Sequence, residues 1–523
     1  MTTKRLILIV ITIVSVIPLF FSIIGSINQP QIQSNLQLYQ TNLVLQASEF
    51  SGDNLADFAQ IREAILGKNT YQLALRQYQE ARQLSQKNLG RLEAHLNSLN
   101  SPSVTLEEDV NSNLNPILSL STDQEKSQLE IQKQAEEINK LALKIGLLEA
   151  HQGKVQLALE TWENIGPNQK GNNSIFSSQM LADVLINLWS SNAQILANSE
   201  TIITDQLTGW FRDYALSKIY QLQDSQANLM SLQTQQQKIA SQAIIKLTLV
   251  AFIPILGGLI GFGLLVFLLI QLFIKKGNAI LAIDQQFNWQ TPWTAETFWQ
   301  VLVVGFFFVG QIVLPILFSF LNIDLTHADL RGKAIYVLAS YLSMALGGIG
   351  VLYFSIKPFF PLPKDWFQFK LFSNWIVWGI SGYLVALPLV VIVSLINQQI
   401  WQGQGGSNPL LSLALEAQDN VVLGIFYVTA AIAAPVYEEI MFRGFLLPSL
   451  TRYFPVWGAI IVSSLIFAVA HLNLSEVLPL AILGIVLGVV YTRSRNLLSS
   501  MLVHSLWNSG TLISLFLLGS GSH

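Results

Sequence analysis

An all-α, polytopic membrane protein with about nine transmembrane helices and a helical, partly coiled-coil extramembrane domain is the fold class this sequence predicts. Three observations predict it. Apolar residues make up 51% of the 523 and charged residues only 12%, a balance that overrides the several soluble domains such a length would otherwise allow. The apolar residues are gathered in runs long enough to cross a bilayer, which takes about 20 residues of helix. Residues 31–241 are a different material, rich in Gln, Asn, Ser, Leu and Ala with charges of both signs. The net charge of −3 and the lack of any basic block speak against nucleic acid as a partner. There is no cysteine, which excludes disulfides, thiolate metal sites and a cysteine nucleophile.

Residues 1–30 read as an N-terminal membrane anchor. Lys4 and Arg5 precede an apolar stretch from Leu6 to Ile24. That stretch exceeds the roughly 7–15 residues of a signal-peptide core, and Gly25-Ser26-Ile27 is a poor cleavage site. Residues 31–241 form the helical extramembrane domain. In Tyr71–Leu99, the residues Leu73, Ala74, Tyr78, Ala81, Leu84 and Leu92 recur at spacings near three and four, the period of an amphipathic helix. Gln128–Leu148 repeats the pattern. Ile145–Trp162 reads as two helices joined at Gly153, with Ala158 and Trp162 on one face; it resembles one tetratricopeptide unit, but without a second copy it is an ordinary helical hairpin. The stretches around Ser101–Asn115 and Pro167–Ser174 read as linkers.

Residues 242–371 hold additional spans at Thr248–Ile274, Trp299–Leu321 and Ala334–Ile356, then a loop. In that loop, Lys357–Leu371 mixes aromatics, prolines and lysines, and suits the membrane interface. Residues 372–523 hold the last five spans, at Asn374–Ile396, Val421–Pro448, Trp457–Leu472, Val477–Tyr491 and Leu497–Leu518. The positive-inside rule orients them. With Lys4 and Arg5 cytoplasmic, Lys275-Lys276, Lys357/Lys364/Lys370, Arg443 with Arg452, and Arg493 with Arg495 all fall on the cytoplasmic side. Asn397–Asn420 has no basic residue and falls outside; Arg331 with Lys333 is a mild exception. The expected product is a multi-pass membrane protein with a cytoplasmic N-terminus and residues 31–241 on the other face.

From Val421 to His523 there is no Asp or Lys, and the only charged side chains are Glu438, Glu439, Arg443, Arg452, Glu476, Arg493 and Arg495. Glu438, Glu439 and Arg443 alone lie inside an apolar run. An ionised group there costs at least a few kcal/mol and marks a functional site by default. Residues four apart share a helix face, so Glu439 and Arg443 form a pair and Glu438, about 100° away, is free to face a cavity as a general base. His471 ends the next apolar run, and His504 with Asn508, again four apart, can present an imidazole and an amide to a developing oxyanion. The competing reading is that all these groups are hydrogen-bonding glue between helices.

Glu438-Glu439-x-x-x-Arg443, Phe467-x-x-x-His471 and His504-x-x-x-Asn508, in that order on three helices, resemble the CAAX prenyl protease and bacteriocin-processing (abortive-infection) family of intramembrane proteases. The resemblance covers roughly Asn374–Leu518 and says nothing of residues 31–241. It implies hydrolysis of a peptide bond in or near the membrane, on a peptide or protein substrate that need not be prenylated. It further implies that Glu438 with His471 activates water, that His504 and Asn508 hold the oxyanion, and that Glu439, Arg443 and Phe467 orient them.

Glu438, His471 and His504 would also serve as ligands to a divalent metal such as zinc and leave an open position for water, although no HExxH signature is present. Gly379-Ile-Ser381-Gly382 is too common a tetrapeptide in membrane helices to carry a serine protease, and the spans lack the paired Asp of a membrane aspartyl protease. The rival of another class is a non-catalytic membrane scaffold or immunity protein that binds a protein partner through residues 31–241.

Overall fold

A computed structural model of the chain describes residues 2–27, 29, 31, 33–51, 66–67, 69–100, 115–165, 173–283, 288–320, 328–417 and 419–519. Apart from their helical last residues, the two expected linkers lie outside the described residues. Among the described residues there is no β-strand. The chain divides into two compact units, Asn35–Thr248 and a unit of Met1–Ser34 with Leu249–Ser520.

The first unit holds α2 (Gln33–Ser48), α3 (Thr70–Asn100), α4 (Asn115–His151), α5 (Val155–Glu163), α6 (Asn173–Trp189), α7 (Ser199–Gln206), α8 (Gly209–Leu222) and the start of α9 (Gln226–Lys275). Its core gathers Tyr78, Leu147, Trp162, Leu185 and Phe211. Ala74 and Tyr78 face inward as their period requires, but Leu73 is 42% exposed and Leu75 takes the buried place. Gly153 joins α4 to α5 with φ +77°, a left-handed turn that suits glycine. Ala158 and Trp162 are buried behind it, and Trp162 Nε1 donates to Leu143 O at 3.2 Å. His151 lies among the rings of Tyr71, Trp210 and Tyr214. Beside them, Glu49 Oε1 accepts from Tyr71 Oη at 2.8 Å and Trp210 Nε1 at 2.7 Å.

The second unit holds α1 (Thr3–Ser26), the rest of α9, α10 (Ala295–Ser319), α11 (Leu330–Ile356), α12 (Trp375–Trp401), α13 (Pro409–Glu416), α14 (Asn420–Leu450), α15 (Val456–Val469), α16 (Leu474–Ser494) and α17 (Leu497–Gly519). Eight helices of the described residues are long and apolar enough to cross a membrane. The ninth expected span is α15, which has only 14 residues. At about 1.5 Å per residue it reaches about 21 Å, short of the roughly 30 Å hydrocarbon core. The outward residues of α9 are apolar, Leu259, Phe262, Phe267 and Phe273 among them, as a lipid-facing helix requires. Lys357–Leu371 is no span: after one short turn it runs irregularly and buries Trp366, whose Nε1 donates to Gln290 O at 2.9 Å.

Three stretches wind more widely than an α-helix: Val301–Val313, Val428–Ala433 and Ile440–Leu446. Each closes with an N–H that reaches five residues back, Leu314 to Val309 O, Ala434 to Thr429 O and Leu447 to Phe442 O. The next residue in each case is proline: Pro315, Pro435 and Pro448. Proline cannot donate, and its ring clashes with the carbonyl four residues back. An extra residue in the preceding turn moves that carbonyl aside, so the three prolines set where α10 and α14 widen.

Candidate active site

Glu438 and Glu439 sit on the α-helical stretch Ala434–Glu439, between the two wide stretches of α14. Glu439 and Arg443 are both 0% exposed. Arg443 Nη1 donates to Glu439 Oε1 at 2.9 Å, the pair expected from their spacing. Its Nη2 donates to Gly484 O of α16 at 3.2 Å, and its guanidinium carbon lies 4.3 Å from the centre of the Phe467 ring on α15. One side chain thus ties three helices. Gly484 permits this, because a Cβ there would lie 2.8 Å from Ser464 Cβ and push α16 off α15.

His504 completes the arrangement from α17. Its Nδ1 lies 3.0 Å from Glu439 Oε1, and a carboxylate accepts only, so Nδ1 carries the hydrogen. Nε2 is thereby turned toward Glu438, 3.9 Å from Oε2. Glu438 is 9% exposed, and Oε2 has no hydrogen-bond partner among the described residues. Its other oxygen, Oε1, accepts from Tyr341 Oη on α11 at 2.9 Å. Two acceptors too far apart to bond each other therefore face one another, with Glu439 and Tyr341 fixing their outer sides.

His471 lies past the end of α15, and its Nδ1 is 2.9 Å from Phe467 O, which accepts. The Phe467 ring meets both imidazoles edge to face, at 5.0 Å for His471 and 5.6 Å for His504. The imidazole within 4 Å of Glu438 is therefore His504; His471, expected there, makes no such contact. The reason is local: α15 stops at Val469, and the chain turns through Leu472 (φ +63°) and Asn473, whose Nδ2 donates to His471 O at 3.1 Å. The expected metal set of Glu438, His471 and His504 is likewise not gathered. No group of three or more His, Asp or Glu among the described residues is arranged to hold a metal ion.

Asn508 also departs from expectation. Its Nδ2 donates to Ala430 O at 2.7 Å, and Ser505 Oγ donates to Ala431 O at 2.6 Å. Along with His504–Glu439, these bonds lace α17 to α14 in antiparallel order. Gly379 and Gly382 serve packing: a Cβ at the first would meet Leu502, and at the second Val490 and Val503. Sequence reasoning missed Tyr341. The available signal was a hydroxyl in mid-span, which needs a partner when buried.

Two glutamates, an arginine and a histidine carried into one enclosed polar cluster define a polytopic membrane protein with an ionisable site buried among its helices. Residues 420–510 match the family described as type II CAAX prenyl endopeptidase, Rce1-like, and the chain belongs to that family. It is similar to YdiL of Bacillus subtilis strain 168 (26% identical over 138 residues), to the UPF0177 protein YxdF of Lactococcus lactis strain IL1403 (30% over 147) and to the membrane-embedded CAAX protease MroQ of Staphylococcus aureus strain USA300 (28% over 144). The aligned stretches take up 26%, 27% and 26% of this chain. They span about half the length of two of these relatives, 55% of YdiL and 57% of MroQ, and 75% of YxdF. No solved structure matches the chain.

Proposed function

We propose that this chain is an intramembrane endopeptidase in which Glu438 and His504 activate water against a peptide bond in or near the membrane. The observation that carries the reading is the unpartnered Glu438 Oε2 facing His504 Nε2 across 3.9 Å. A water between two acceptors gives each a hydrogen and keeps its lone pairs for the substrate carbonyl. Glu438 takes a proton as the oxygen attacks, and that proton passes to the amine nitrogen as the C–N bond breaks. Glu439, held by Arg443, fixes the His504 tautomer and stabilises an imidazolium that forms in transit. His471 and Asn508 border the site through Phe467 and the widened turn of α14; the family resemblance gives His471 a part in activating water and Asn508 a part in holding the oxyanion.

The substrate class is a membrane protein or peptide, with prenylation not required. The N-terminus lies in the cytoplasm and residues 31–241 on the opposite face. The test compares new N-termini in membranes of cells carrying wild type or Glu438→Gln, together with hydrolysis of a quenched-fluorescent peptide ending in a farnesylated CAAX sequence. Loss of a general base lowers the rate by about 10²–10⁴. Wild-type cleavage by Glu438→Gln would overturn the proposal and favour the scaffold reading, which depends on residues 31–241 instead.

A further inference from the structure

We infer that Tyr341, on α11 and outside the stretch that matches the family, is a positioning residue for Glu438, so that the site extends beyond the family domain. The inference rests on the endopeptidase reading above. Tyr341 Oη is the hydrogen-bond donor to Glu438, at 2.9 Å from Oε1. With Oε1 held, rotation of the carboxylate is fixed and Oε2 is left pointing to His504 Nε2. Without that donor, neither oxygen of Glu438 has a hydrogen-bond partner among the described residues to fix the carboxylate's rotation.

The sequence of α11 is built to deliver this hydroxyl. Ala334, Tyr341, Ala345, Gly348, Leu352 and Ile356 recur at steps of seven, four, three, four and four, which places them on one face of the helix. All but Tyr341 are buried. The small residues set the distance: a Cβ on Gly348 would lie 2.2 Å from Tyr437 Oη and 2.9 Å from Gly305 O. α11 is thus pressed against both α10 and α14 about two turns from Tyr341. Its ring also meets that of Tyr437 edge to face, with centroids 6.2 Å apart, so packing and hydrogen bond constrain the side chain together. A tyrosine needed only for volume would not require its hydroxyl to end on the carboxylate whose other oxygen faces the His504 imidazole.

The experiment uses the full chain in lipid vesicles and the farnesylated CAAX peptide as probe. Tyr341→Phe keeps the ring and removes the donor. Misorienting a reacting group by a small angle lowers turnover without loosening substrate, so kcat falls about 10- to 100-fold while KM stays within about twofold. Two non-natural residues at 341 separate donor from volume. 4-Aminophenylalanine supplies an N–H and restores most of kcat; 4-methylphenylalanine fills the space and does not. These two variants also serve if Tyr341→Phe fails to fold. Wild-type kcat in Tyr341→Phe, or rescue by the methyl variant, overturns the inference while Glu438→Gln remains inactive. Full activity in Glu438→Gln removes the endopeptidase reading itself, and the inference with it.

Discussion

Pro435 and Asn508 are joined through a carbonyl. In the widened turn of α14, the N–H of Ala434 reaches Thr429 O, and the next donor in line, for Ala430 O, would be that of residue 435. Proline has none. Asn508 Nδ2, from α17, donates to Ala430 O at 2.7 Å in its place, and Ser505 Oγ supplies Ala431 O one residue on. Inside a bilayer a carbonyl without a donor is expensive, so the proline and the asparagine make one device.

The coupling between them is measurable. Asn508→Leu leaves Ala430 O unserved and destabilises the chain by about 1 kcal/mol, in the range of hydrogen bonds between membrane helices. Pro435→Ala returns a backbone N–H to the turn, and in that background the same change costs less. Unfolding of the four variants in detergent gives the cycle. Equal costs in both backgrounds would show that the two residues act separately.

Removing one partner of the Glu439–Arg443 pair strands a fully buried charge. Arg443→Met alone destabilises by about 3–5 kcal/mol, whereas Arg443→Met with Glu439→Leu recovers most of that loss. Activity does not return, because His504 Nδ1 has lost its acceptor. Melting temperature and peptide cleavage, read on the same preparations, check the split; a double variant that cleaves would contradict the role given to Glu439.

Two glycines of the Asn35–Thr248 unit respond in opposite directions. A Cβ on Gly146 would lie 2.2 Å from Trp162 Nε1, so Gly146→Ala costs about 1–3 kcal/mol by overpacking. Gly90 on α3 has nothing within 4 Å, and Gly90→Ala stabilises by about 0.5–1 kcal/mol through helix propensity. Hydrogen exchange of α3 and α4 in the full chain reads both.

Burial holds the His151 imidazole below its ordinary 6.5, with the charge of Glu49 pulling partly back. The unfolded chain protonates first, so stability from this group is complete above about pH 6.5 and is lost as pH falls toward the folded value. Burial raises the Asp213 and Glu149 carboxyls, against the opposing pulls of Arg212 and Thr161 respectively. For these the folded state binds the proton first, and stability rises as pH falls through their range. His151→Phe therefore flattens the loss as pH falls below 6.5, followed by hydrogen exchange in α3 and α8. Identical slopes for wild type and His151→Phe would remove His151 as its source.

Much of this was legible in the sequence because the bilayer is a strict solvent. It demands long apolar runs, and those runs fixed most of the long apolar helices to within a few residues; α9 is the exception at its start, beginning at Gln226 rather than Thr248, and α15 is too short to span. Charges inside such runs are equally visible, hence Glu438, Glu439 and Arg443. Pairs within one helix follow from its period, so Glu439–Arg443 was readable. Pairs across helices were not. His504 and Asn508 share a face but serve different partners nine residues apart on α14, because the wide turn before Pro435 rotates what α14 presents. Tyr341 was missed because its partner lies on another helix; the close approach at Gly348 is what brings its hydroxyl to a carboxylate.

The placement of Arg443 one turn after Glu439 bears on biosynthesis. A nascent α14 leaves the translocation channel with that guanidinium and that carboxylate already neutralising each other, and needs no later segment to tolerate them. Glu438 has no such companion on its own helix. The hydroxyl that receives it is on α11, made earlier, whereas the imidazole of α17 is made after α14. The order of translation thus shelters the acid first and brings the imidazole to it only when α17 arrives.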